Sequence, residues 1–134
     1  MLDQVPACQS QANHGYWMPG GLLQVSSNSA AQGIVWALVP ANGDGNSCRG
    51  VKGMLIAVAA DNVTKELWRS QGPGPNATDT KNSLGLLSRF TPPTIAGGKV
   101  FVPTAGDAEP LQRYSGPRPA QGPANYYLAV YGLK

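Results

Sequence analysis

Charge is scarce in this chain. Asp, Glu, Lys and Arg make up 13% of its 134 residues, about half the usual share of roughly 25%. The net charge is only +3, and its carriers are scattered: Arg49, Lys52, Lys65, Arg69, Lys81, Arg89, Lys99, Arg113, Arg118 and Lys134. They form no basic stripe, so nucleic acid is not an expected partner. Apolar runs are short, far below the roughly 20 residues of a membrane helix, so no membrane span is expected. Histidine is limited to His14. It has no carboxylate or nucleophile at an evident spacing, which leaves it an ordinary loop residue rather than a general base. No Gly-x-Ser-x-Gly elbow occurs, which removes the commonest serine-nucleophile pattern.

Cysteine is limited to Cys8 and Cys48. Their separation is not that of a metal site, and no metal site is expected from them. They are candidates for one disulfide, which would tie the N-terminal segment to a loop and add roughly 3–4 kcal/mol in an oxidising compartment. The opening Met1-Leu2-Asp3-Gln4 has no basic stretch followed by an apolar core. The expectation is a cytoplasmic protein; the alternative is a piece of a longer exported chain.

Long amphipathic helical periods are also missing. The chain carries instead 42% hydrophobic residues with 17 Gly and 12 Pro, a mixture that suits short strands and many turns. One domain is the natural reading of this length. The strands read as Leu22 to Ser26, Ile34 to Val39, Met54 to Ala60 and the more polar Lys65 to Ser70, a four-stranded meander. The two central runs are apolar without alternation, as strands covered on both faces are. Leu84 to Leu87 reads as a short turn of helix. A second unit follows: Pro93 to Ala96, a Gly97-Gly98 hairpin turn, Lys99 to Thr104, and Tyr126 to Gly132 after a long insertion at 105–125. The expected organisation is an irregular segment over 1–15, a first sheet over 16–70, a linker over 71–92 and a second sheet over 93–134. The second unit has three strands where the first has four, which leaves an edge open to strand addition from elsewhere.

The two units share a phrase. Gly33-Ile34-Val35-Trp36-Ala37 is later followed by Met54 to Ala59, and Gly98-Lys99-Val100-Phe101-Val102 is later followed by Leu128-Ala129-Val130-Tyr131-Gly132. Repeats on this scale mark stacked units that cannot bury an apolar face alone. These residues, with Trp17-Met18-Pro19-Gly20-Gly21, Val63 to Trp68 and Phe90 to Phe101, resemble the C-terminal end of PQQ-like, or quinoprotein-like, β-propeller repeat proteins, a largely bacterial group. The resemblance runs over about residues 16–134 and covers about two blades. It implies an all-β fold of antiparallel four-stranded meanders, the second incomplete, with Trp36, Trp68 and Phe101 in blade packing. Blades of that group carry Ala-x-Asp, a turn and a docking Trp. Here Ala57-Val58-Ala59 puts alanine in place of the aspartate, Asp61 lies two positions on, and Trp68 holds the docking position.

Other candidate sites have bland readings. Asp107 with Glu109 is a carboxylate pair in a loop. Asn42, Asp44 and Asn46 begin an EF-hand-like spacing but lack its Gly and closing Glu, so they read as a tight turn. Asn62-Val63-Thr64 and Asn76-Ala77-Thr78 fit the glycosylation triplet, a pattern common by chance. Trp17, Trp36 and Trp68 suit core packing better than a ligand platform.

Two functional classes follow. The first is a non-enzymatic structural or binding module that self-associates through its sheet faces, as a homo-oligomer. The second is the C-terminal fragment of a PQQ-dependent dehydrogenase-like quinoprotein. Its partners would be the missing blades, its place the periplasm, and its cofactors PQQ and calcium, bound by residues spread over many blades of a whole propeller. No cofactor is expected in this chain alone, and no catalytic or PQQ-binding residue carries over.

Overall fold

The computed structural model describes residues 22–28, 32–41, 51–70, 84–106 and 126–132. Seven strands lie in this part: β1 (Leu22–Ser26), β2 (Ile34–Pro40), β3 (Gly53–Ala59), β4 (Glu66–Arg69), β5 (Thr94–Ala96), β6 (Lys99–Pro103) and β7 (Leu128–Gly132). They form two antiparallel sheets, ordered β1-β2-β3-β4 and β5-β6-β7. The protein is all-β, with no helix among the described residues. No helix there is long and apolar enough to cross a membrane.

Register decides which side chains meet. Leu22 pairs with Leu38 and Leu38 with Leu55; Trp36 pairs with Ala57 and Ala57 with Trp68. Successive side chains alternate between faces, so these rows lie on one face of the first sheet. In the second sheet Val100 pairs with Ile95 and Tyr131, and Val102 with Ala129. The two faces close on each other. Trp36, Leu38, Leu55, Ala57, Leu84, Leu87, Val100 and Val102 form one buried cluster, with Trp68, Ile95, Ala129 and Tyr131 packed against it. β3 is buried along nearly its whole length, whereas β2 alternates buried and half-buried positions. The continuous apolar run of β2 therefore does not mean equal cover on both faces.

The Gly97-Gly98 turn has φ values of +54° and +67°, the left-handed pair that a two-residue hairpin requires. The helical turn expected over Leu84 to Leu87 is absent. That segment is extended and bridges the sheets. Lys52 pairs with Leu86 and Leu87 with Thr104. Gly53 donates to the Gly85 carbonyl at 2.9 Å, Leu87 to that of Val51 at 2.8 Å, Leu86 to that of Gly106 at 2.7 Å and Ala105 to that of Leu86 at 2.8 Å. Two ladders satisfy the backbone that a helix would have satisfied internally, and Leu84 and Leu87 reach the core from opposite ends of the segment.

Candidate functional site

Three features carry the chemistry of the described surface: an aromatic junction between the sheets, a groove at one end, and an exposed outer face on the second sheet.

The junction is built from β2, β4 and β7. Ala57 stands between Trp36 and Trp68 in the cross-strand row, and its single methyl leaves the two indoles room to meet edge to face at 6.4 Å. Trp68 then meets Tyr131 of the other sheet at 5.1 Å, again edge to face. Such geometry sets a positive ring edge on a negative ring face. The Trp36 Nε1–H donates to Ser26 Oγ at 2.9 Å, so the indole is satisfied within its own sheet. Ser70, just past the end of β4, is fully buried. Its Oγ accepts from the Leu55 N–H at 2.8 Å, while its own N–H donates to the Leu55 carbonyl at 2.8 Å. The side chain thus takes the part of a strand neighbour where β4 has ended. Burial pushes the Tyr131 hydroxyl up to about 12, partly opposed by a hydrogen bond from Ser70.

The groove, of about 850 Å³, opens where the β1–β2, β3–β4 and β5–β6 turns converge. Ile34, Ala59, Leu67 and Ile95 give it aliphatic walls; Ser27, Asn28, Asp61 and Lys65 give it polar ones. Asn62 Oδ1 accepts from the Thr64 N–H at 3.2 Å and from its hydroxyl at 2.6 Å, which fixes the turn carrying Asp61 and Lys65. Among the described residues no three His, Cys, Asp or Glu side chains gather where a metal would sit. The groove offers polar and aliphatic contacts.

The outer face of the second sheet carries Phe101, Leu128 and Val130. Phe101 pairs with Val130, and Leu128 lies beside them across from Pro103. Leu128 is 53% and Val130 49% exposed. On the first sheet, Leu23 and Val25 of β1 are each 59% exposed.

The residues that stand out in the sequence fall into these features unevenly. Trp36 and Trp68 are together in the junction. Phe101 is on the opposite face from Val100 and Val102, half-buried. Cys8, Cys48, His14, Trp17, Asn42, Asp44, Asn46, Asn76, Asp107 and Glu109 lie outside the described residues. Sequence reasoning passed over Ser26, Ser70 and Tyr131. Tyr131 was detectable, since it alternates with Val130 in a strand; Ser70 was not, because nothing local marks a serine that closes a strand lane. Fold and junction together define an all-β protein of two face-packed antiparallel sheets. Comparison of the chain with family models, curated proteins and solved structures finds no match.

Proposed function

We propose that this chain is a non-enzymatic, propeller-like structural or binding module that self-associates through its outer sheet faces. The observation that carries the reading is the outer face of the second sheet, where Leu128 and Val130 are about half exposed beside Phe101. A contiguous apolar face of this kind usually marks an interface. Two successive meanders packed face to face through Trp36, Trp68 and Tyr131 support the likeness to neighbouring propeller blades. In that reading the faces left over are covered by further copies, or by further blades in a longer chain.

The test is sedimentation equilibrium of the full chain beside Phe101→Ser, a change on the central strand of the exposed face. Self-association weakened in the variant supports the reading. A wild-type chain that stays at its monomer mass of 14.0 kDa at every concentration overturns it.

A further inference from the structure

We propose that β7 is a homotypic docking edge, at which two copies of the chain pair antiparallel about a two-fold axis through Val130. The inference rests on the self-association reading above and places a contact at the edge of the second sheet, beside its outer face.

The ladder fixes which backbone groups face outward. Thr104 N–H donates to the Tyr127 carbonyl at 3.0 Å, and the register continues through Val102 with Ala129 and Val100 with Tyr131. Hydrogen-bonded and non-hydrogen-bonded pairs alternate in an antiparallel ladder. Ala129 and Tyr131 therefore turn their N–H and C=O groups to β6, and Leu128, Val130 and Gly132 turn theirs away from it. Pro103, which has no N–H, stands opposite Leu128, where the ladder needs no donor. Among the described residues, β7 has β6 on one side and no strand on the other.

Edge strands normally carry a device against pairing. β4 has Glu66 and Arg69 in an ion pair and faces an irregular register at Ala57 and Val58. β5 is three residues long and follows Pro92-Pro93. β7 reads Leu-Ala-Val-Tyr-Gly, with no charge, no proline and no bulge. β1 is uncharged too, but self-pairing about Gln24 would set Leu23 against Val25, two branched side chains.

The sequence of β7 is complementary to itself. Pairing about Val130 sets Val130 against its own copy, Leu128 against Gly132 and Tyr131 against Ala129. Beyond the central valine, each large side chain meets a small one, and the outward N–H and C=O groups of Leu128, Val130 and Gly132 fall in the hydrogen-bonded pairs. A two-fold contact requires this kind of self-matching patch. With no charge in the strand, pairing brings no like charges together. Five residues bury much less than the roughly 1,200 Å² of a stable complex, so the pair forms and separates with concentration.

The test is residue-resolved amide exchange of the full chain at low and high concentration. The amides of Leu128, Val130 and Gly132 are expected to gain protection as concentration rises, while those of Ala129 and Tyr131 are protected throughout. A second arm uses Val130→Pro, which removes the outward N–H, leaves the β6 ladder intact and keeps the position apolar. It should weaken association about tenfold or more, with no response to added salt. Outward amides that exchange freely while the chain is associated overturn the proposal. So does association that survives Val130→Pro but is lost in Phe101→Ser, a result that leaves the sheet-face reading standing.

Discussion

Trp68 of the first sheet meets Tyr131 of the second edge to face, with ring centroids 5.1 Å apart and planes at 62°. Among the described residues, this contact joins two sheets that share no backbone ladder except through Leu84 to Leu87. Replacing Trp68 with Ala should therefore act on the junction as a whole. Trp68 is only partly buried, so the expected loss is at the lower end of the range for such truncations, about 3 kcal/mol. Urea unfolding measures it, and a loss below about 1 kcal/mol would mean that the junction does not hold the sheets together.

Tyr131 gives the fold a dependence on alkaline pH. Burial holds its hydroxyl at about 12, above the ordinary 10.0, because the buried site disfavours the phenolate. The folded chain thus keeps this proton more tightly than the unfolded chain. The stabilisation is whole below pH 10 and is lost as pH rises from 10 towards 12. Melting temperature should fall across that window, and Tyr131→Phe should flatten the fall. An equally steep fall in the variant would place the sensitivity elsewhere.

Ser70→Ala should cost about 1–3 kcal/mol, since the buried Leu55 N–H loses its acceptor. The same change removes the hydrogen bond that lowers the Tyr131 pKa, so the late-titrating tyrosine should move further up in an ultraviolet titration. Loss of stability without that movement would separate Ser70 from Tyr131.

Gly85 has no room for a side chain. A Cβ there would lie 2.2 Å from the Gly106 carbonyl oxygen and 2.6 Å from the Tyr127 hydroxyl. Gly85→Ala must displace the bridge that joins the sheets, at a cost of about 1–3 kcal/mol. Thermal unfolding shows whether the bridge matters; an unchanged melting temperature would say that it does not.

Much of the fold was legible because its strands are local. Val100 to Pro103, just after the Gly97-Gly98 turn, and Leu128 to Gly132, just after Tyr126-Tyr127, are short apolar runs. The order of the first sheet followed from reading four successive strands as a meander, although β2 and β3 are joined by a long loop. Gly97-Gly98 declared its hairpin directly. Leu84 to Leu87 misled because three leucines around one glycine suit a helical turn as well as a strand. Its extended form is set by partners distant in sequence, Val51 to Gly53 and Thr104 to Gly106. The junction was half legible for the same reason. Trp36 and Trp68 stand out by residue type, but their contact with Tyr131 depends on how one sheet docks on the other.

The most direct measurement is the solution mass of the full chain by light scattering on a sizing column, over a range of concentrations. Self-association predicts a mass above the 14.0 kDa monomer that rises with concentration and is unchanged by salt. A folded chain that elutes at 14.0 kDa throughout would contradict it.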